Sequence, residues 1–156
     1  MTTWDSLHQE HGEIFVKMNI LEKALADLLQ KHTEEQVDRT LEQQKEFLEA
    51  FKQGLSLHFT VEEKALFPEM KQIGKIAESL VDELLVQHRS IVGKYEGIAE
   101  RSNSNVERRT NLRSLVQELI THTKKEEESV YPLVKQMSRE QLEVVDRTAK
   151  QLGYQV

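Results

Sequence analysis

The sequence predicts an all-α protein, an up-down-up-down four-helix bundle with a short C-terminal tail helix. Three observations predict it. Only two prolines and six glycines interrupt 156 residues, and helix formers dominate the rest. Apolar residues recur in steps of three and four, the period of a helix face, and strand-like alternation is absent. Four long periodic stretches are joined by short connections, which makes sequential helices antiparallel neighbours.

The first stretch runs from about Trp4 to Lys31, with a stripe of Trp4, Leu7, Ile14, Phe15, Met18, Leu21, Leu25 and Leu28 and with His11 inside it. Thr33 followed by Gln36 resembles a capping box and opens the second helix. That helix carries Val37, Leu41, Gln44, Leu48, Phe51, Leu55, His58 and Glu62 on one seam, whose last two members turn polar. It should stop or kink near Pro68, which lacks a backbone donor, and end before Gly74. The third runs from about Lys75 to Arg101, with Val81, Leu84, Leu85, His88, Ile91, Val92, Tyr95 and Ile98 on one side, and Ser102-Asn103-Ser104-Asn105 reads as a polar loop. The fourth runs from about Val106 to Met137, with Leu112, Leu115, Leu119, His122, Glu126, Val130 and Leu133 together. Ser138 and Gln141 form a second capping-box candidate, opening a tail helix that Gly153 closes. The expected organisation is one domain over 1–156, with two αα-hairpins (1–72 and 73–137) and a tail (138–156).

Composition excludes several function classes. The net charge of −6, with basic residues dispersed, argues against nucleic acid and anionic membrane as partners. No stretch approaches the roughly 18 apolar residues of a membrane span. The start, MTTWDSLHQEH, has neither the basic nor the apolar region of a secretory signal, which points to the cytoplasm. With no cysteine, disulfides, thiolate metal sites, iron–sulfur ligation and cysteine nucleophiles are excluded.

The chemistry lies in a pattern that occurs twice. Residues 58–68 read HFTVEEKALFP and residues 122–132 read HTKKEEESVYP. Both give His, then Glu at +4 and +5, an aromatic at +9 and Pro at +10. A His and a Glu four apart lie one above the other on a helix face, so His58/Glu62 and His122/Glu126 can each offer a nitrogen and a carboxylate to one point. A looser repeat flanks them: His11 and His88 each begin H-x-x-I. Leu55 and Leu66 share the face of the first pair, and Leu119 and Val130 that of the second, so both pairs point at the core. Burying them is expensive without a compensating partner, and a cation is the simplest one. Imidazole with carboxylate suits iron or manganese. Six ligands exceed one tetrahedral zinc and match two metals bridged by the carboxylates.

Other polar residues leave alternatives open. His8, one turn before His11, is either a fifth histidine ligand or an outer group. Glu63 and Glu127 lie about 140° round the helix from their histidines; they orient ligands, reach a metal or lie in solvent. His32, at a helix end, has no metal role, and Tyr95 and Tyr131 are packing residues.

On these residues the chain resembles the hemerythrin-like (HHE cation-binding) family across 4–137. The resemblance implies a four-helix bundle holding a non-haem di-iron centre. Its ligands would be His11, His58, Glu62, His88, His122 and Glu126, with Glu62 and Glu126 bridging. The pattern departs from the oxygen carriers of that family. They have a second histidine on the third helix, where Leu84 and Val92 stand at −4 and +4 from His88, and their last carboxylate is an Asp at +5, where Glu127 competes with Glu126 at +4. One iron therefore has a more open shell, which shifts the expectation from reversible carriage to binding or sensing of oxygen, peroxide or nitric oxide. Two other readings stand beside it: a peroxide-disproportionating or iron-homeostasis protein, and a metal-free helical interaction module. Zinc or manganese is an alternative metal. A ferritin-like centre is excluded, because His8, Leu55, Leu85 and Leu119 occupy the positions where E-x-x-H would place glutamate. The expected apolar lining is Phe15, Met18, Leu55, Leu66, Leu84, Val92 and Val130.

Overall fold

A computed structural model describes residues 2–31, 33–43, 45–99 and 104–155. His32, Gln44, Arg101, Ser102 and Asn103 lie outside the described residues, as do the side chains of Leu28, Val37 and Asn105. The helices are α1 (Thr3–Lys31), α2 (Glu34–Gln43), α3 (Lys45–Val61), α4 (Phe67–Lys71), α5 (Lys75–Ala99), α6 (Asn105–Val134) and α7 (Arg139–Gln151), with a π-helical turn, Glu62–Leu66, between α3 and α4. Among the described residues every regular element is helical, so the all-α expectation holds.

Local chemistry explains the ends and the break. Thr33 N–H donates to Gln36 Oε1 at 3.1 Å, with the return bond from Gln36 N–H to Thr33 Oγ1 at 3.4 Å. The expected kink before Pro68 is the π turn, closed by Phe67 N–H donating to the Glu62 carbonyl five residues back. Proline cannot donate to the carbonyl of Lys64, and the wider turn relaxes the chain around that lost bond. Pro132, the second copy's proline, instead sits inside continuous α6.

The tail helix is as expected. Ser138 Oγ accepts from Gln141 N–H at 3.2 Å while Gln141 Oε1 accepts from Ser138 N–H at 3.0 Å. Replacing Ser138 by Ala should lower stability by about 1 kcal/mol, read as a shifted urea midpoint with an unchanged slope. Gly153, at φ 83, makes the left-handed turn that ends the helix and brings Tyr154 back over the body. Asp146 of α7 accepts from Thr3 N–H at 2.8 Å and from Thr3 Oγ1 at 2.6 Å, which fastens the tail to α1.

α5 packs along α6, and α6 along α1; α7 lies against α1 and the π turn. The buried apolar residues form two clusters. One holds Ile14, Met18, Leu55, Phe59, Ile91 and Leu119. The other holds Leu7, Val61, Leu66, Leu84, Val130 and Tyr154. Between Leu7 and Ile14 stands His11; between Leu55 and Leu66 stand His58 and Glu62; between Leu84 and Ile91 stands His88; between Leu119 and Val130 stand His122 and Glu126. The core is thus two apolar halves separated by one polar level. Two lining expectations are corrected: Val92 is 40% exposed, and Phe15 is only half-buried and belongs to neither cluster. The α5 seam follows Val81, Leu84, His88, Ile91, Tyr95 and Ile98 in strict alternation of three and four, and Val92 falls one step off it. Tyr95 is buried and donates its hydroxyl to the Leu48 carbonyl, a packing role, while Tyr131 stacks on Trp4 at 6.1 Å.

Candidate metal centre

The polar level gathers all six expected residues. His11, His58, Glu62, His88, His122 and Glu126 are each 1–3% exposed. The histidines pair: His11 Nε2 lies 3.1 Å from His58 Nε2, and His88 Nε2 lies 3.1 Å from His122 Nε2. The carboxylates span the pairs. Glu126 Oε2 is 3.0 Å from His11 Nε2, while its Oε1 is 2.7 Å from His122 Nε2 and 3.4 Å from His88 Nε2. Glu62 Oε1 contacts His58 Nε2, and its Oε2 is 3.7 Å from His88 Nε2. Two groups result, His11/His58/Glu62/Glu126 and Glu62/His88/His122/Glu126, each with donor atoms within 4.8 Å of one another and with both carboxylates in common.

Behind every imidazole stands an acceptor. His11 Nδ1 donates to Glu127, His58 Nδ1 to Glu10 at 3.1 Å, His88 Nδ1 to Glu63 at 2.9 Å and His122 Nδ1 to Gln87 at 2.7 Å. With Nδ1 holding the proton, the neutral ring presents an Nε2 lone pair to the centre. Facing lone pairs 3.1 Å apart repel unless a proton or a cation lies between them. Among the described residues none donates a well-aligned hydrogen bond to Glu62 Oε1, which is fully buried, although His58 Nε2 is pressed against it. Lone pairs facing inward and an unsatisfied carboxylate oxygen are what a cation between them would satisfy, so the donor set fits a metal.

When no metal is bound, protons on the rings answer the carboxylate charges instead. Burial pushes His11 down, but hydrogen bonds with Glu126 and Glu127 and the charge of Glu62 outweigh it and hold the ring at about 11. Burial likewise opposes His58, and the Glu62 charge with the Glu10 hydrogen bond raises it to about 9. His88 is raised against burial by Glu126 and by the Glu62 charge. Burial alone would raise Glu126; hydrogen bonding with His11, His122 and His88 holds it well below the usual carboxylate range. Opposite charges stabilise one another here because solvent cannot.

The sequence matches the hemerythrin HHE cation binding domain over residues 2–134, with a second, overlapping match over 79–152. The chain belongs to the hemerythrin HHE cation-binding family. Neither the curated proteins nor the solved structures compared with it gave a match. In this HHE domain the outer residues fall into place. Glu126 stands in the polar level and Glu127 behind His11, which separates the two neighbouring glutamates. Glu63 and Glu127 both hold imidazoles, one of the three roles open to them. His8 stands outside the polar level as an outer group: its Nδ1 meets Oε2 of Glu127, the carboxylate that holds His11, at 2.7 Å, and its side chain is 64% exposed. Three residues escaped the sequence reading. Glu10 and Gln87 each directly precede an H-x-x-I histidine, a repeat that marks both positions. Tyr154, whose hydroxyl donates to Glu10, carries no comparable signal.

Proposed function

We propose that this HHE domain holds a non-haem di-iron centre and uses it to bind or sense oxygen or a related small ligand such as peroxide or nitric oxide. The single observation that carries the reading is the pair of adjacent donor groups sharing Glu62 and Glu126. Two imidazoles and shared carboxylate oxygens per cation, with positions left over, are a donor set suited to ferrous iron that meets oxygen. His11 and His58 would hold one iron and His88 and His122 the other, with Glu62 and Glu126 bridging. When bound, such a pair can supply two electrons to one small ligand.

The chain's own residues supply the rest. Glu127, Glu10, Glu63 and Gln87 keep the Nδ1 protons in place and so aim the Nε2 atoms. Met18, Leu55, Leu66, Leu84 and Val130 exclude water above and below. Clefts of about 260, 280 and 310 Å³ between the helices end at the outer sides of His58, His122 and His88, where Glu10, Gln87 and Glu63 back the rings. The up-down-up-down bundle belongs to the same proposal. It is supported by the order of the clusters along the chain: α1 and α5 pass the polar level in one sense, Leu7 to Ile14 and Leu84 to Ile91, while α3 and α6 pass it in the other.

The test is an anaerobic iron(II) titration of the stripped protein, then exposure to air, with metal counting and optical spectroscopy. About two irons per chain and a new near-ultraviolet or visible charge-transfer band are expected. A band that reverses when oxygen is removed means carriage, and sustained loss of added peroxide means disproportionation. No stoichiometric iron and no change in melting temperature on chelation would leave the interaction module as the reading.

A further inference from the structure

We propose that the two cation positions are unequal, that the His11/His58 position fills first, and that Glu10, a positioning residue clamped by Tyr154, sets that order. This rests on the cation pair proposed above and goes beyond it.

The two halves of the repeat differ in what backs their histidines. The first pair of histidines is backed by two carboxylates, Glu127 on His11 and Glu10 on His58. The second is backed by one carboxylate and one amide, Glu63 on His88 and Gln87 on His122. Glu10 and Gln87 occupy equivalent places, each one residue before an H-x-x-I histidine and each meeting the Nδ1 of the H-x-x-x-E histidine in its own hairpin. Both hydrogen bonds form, so the difference between the halves is charge. A hydrogen bond to an ionised acceptor is about twice as strong as a neutral one. A carboxylate behind an imidazole makes its other nitrogen a more basic ligand. An amide orients the ring without that gain.

Glu10 is also held. Its side chain is 31% exposed and could turn to water. Tyr154, itself 6% exposed, donates its hydroxyl to the carboxylate, 2.8 Å from Oε1 and 2.9 Å from Oε2. Tyr154 reaches it because α7 is fastened through Asp146 to Thr3 and because Gly153 turns the chain back. The tail helix thereby acts on the centre through Tyr154, Glu10 and His58 in turn.

The experiment is an anaerobic ferrous-iron titration of the stripped protein by calorimetry at constant pH, in wild type and variants, with the melting temperature of each stripped protein as a check on folding. Two steps of unequal affinity are expected in wild type. Glu10→Gln should weaken the tight step about tenfold to a hundredfold and leave the weak step in place. Gln87→Glu should tighten the weak step, a gain that damage to the fold cannot produce. Tyr154→Phe should weaken the tight step by less than Glu10→Gln and add nothing on the Glu10→Gln background. Equal steps in wild type, or exchanges at 10 and 87 that move both steps together or neither, would overturn this inference and leave the di-iron reading standing. A wild-type protein that takes up no iron would overturn both.

Discussion

Replacing Glu126 by alanine is expected to destabilise the stripped protein by about 3–5 kcal/mol at neutral pH and to abolish stoichiometric cation binding. The physical reason is the density of charge that Glu126 compensates. Its two oxygens meet His11, His88 and His122 at 3.0, 3.4 and 2.7 Å, and all four groups are buried. Removing the carboxylate leaves the His11 imidazole, raised to about 11, charged without this partner or solvent, and such losses reach several kcal/mol. Glu126→Gln, which keeps the volume and one acceptor oxygen, should fall between wild type and alanine in stability while still losing the bridge. Urea unfolding of stripped samples, with metal counting on loaded ones, reads both effects. A loss below about 1 kcal/mol in Glu126→Ala, with metal content unchanged, would remove Glu126 from the centre.

The second large effect is on pH dependence. His11 and His58 are raised from 6.5 to about 11 and about 9 in the folded protein. A group raised on folding stabilises fully below its unfolded value. The stripped protein should therefore lose stability from about pH 6.5 upward, as His58 and then His11 release their protons near 9 and 11. The slope is at most about 1.4 kcal/mol per pH unit for each histidine. Glu126, held well below its usual range, works in the opposite direction: its contribution is present above the ordinary 4.5 and is lost as the medium becomes more acid. A cation replaces the protons on the histidines, so loading near pH 7–8 should release protons from His11 and His58, and affinity should rise with pH. Proton counting during zinc or ferrous addition in weak buffer, beside urea unfolding of the stripped protein at pH 7 and pH 9, reads both. Uptake with no proton release, or a stripped protein more stable at pH 9 than at pH 7, would contradict the ionised cluster.

Much of the fold and of the centre is legible in the amino-acid sequence. The helix period makes His58 and Glu62 neighbours on one face, and their apolar flanks Leu55 and Leu66 say that the face is buried. The same holds for His122 and Glu126 between Leu119 and Val130. Side chain–backbone pairs three residues apart, Thr33 with Gln36 and Ser138 with Gln141, mark helix starts because the bonds are local. Two details are not legible in the residues. Val92 lies within one step of the α5 seam, but a narrow seam of alternating threes and fours leaves it at the surface. The aromatic–Pro endings read alike, yet one follows a π turn and the other runs through continuous α6.

What the sequence determines by itself is the set of helices, the buried face of each, and the kind and spacing of donors on those faces. All of these follow from a period that operates within a few residues. What the tertiary structure decides is which acceptor stands behind which imidazole. Glu63 reaches His88 across 25 residues, Gln87 reaches His122 across 35, Glu10 reaches His58 across 48 and Glu127 reaches His11 across 116. Periodicity gives a side chain's direction about its own helix axis, but not the axial shift and rotation of one helix against another. Those are set by how the two apolar clusters pack above and below the polar level, and by the tail that brings Tyr154 to Glu10.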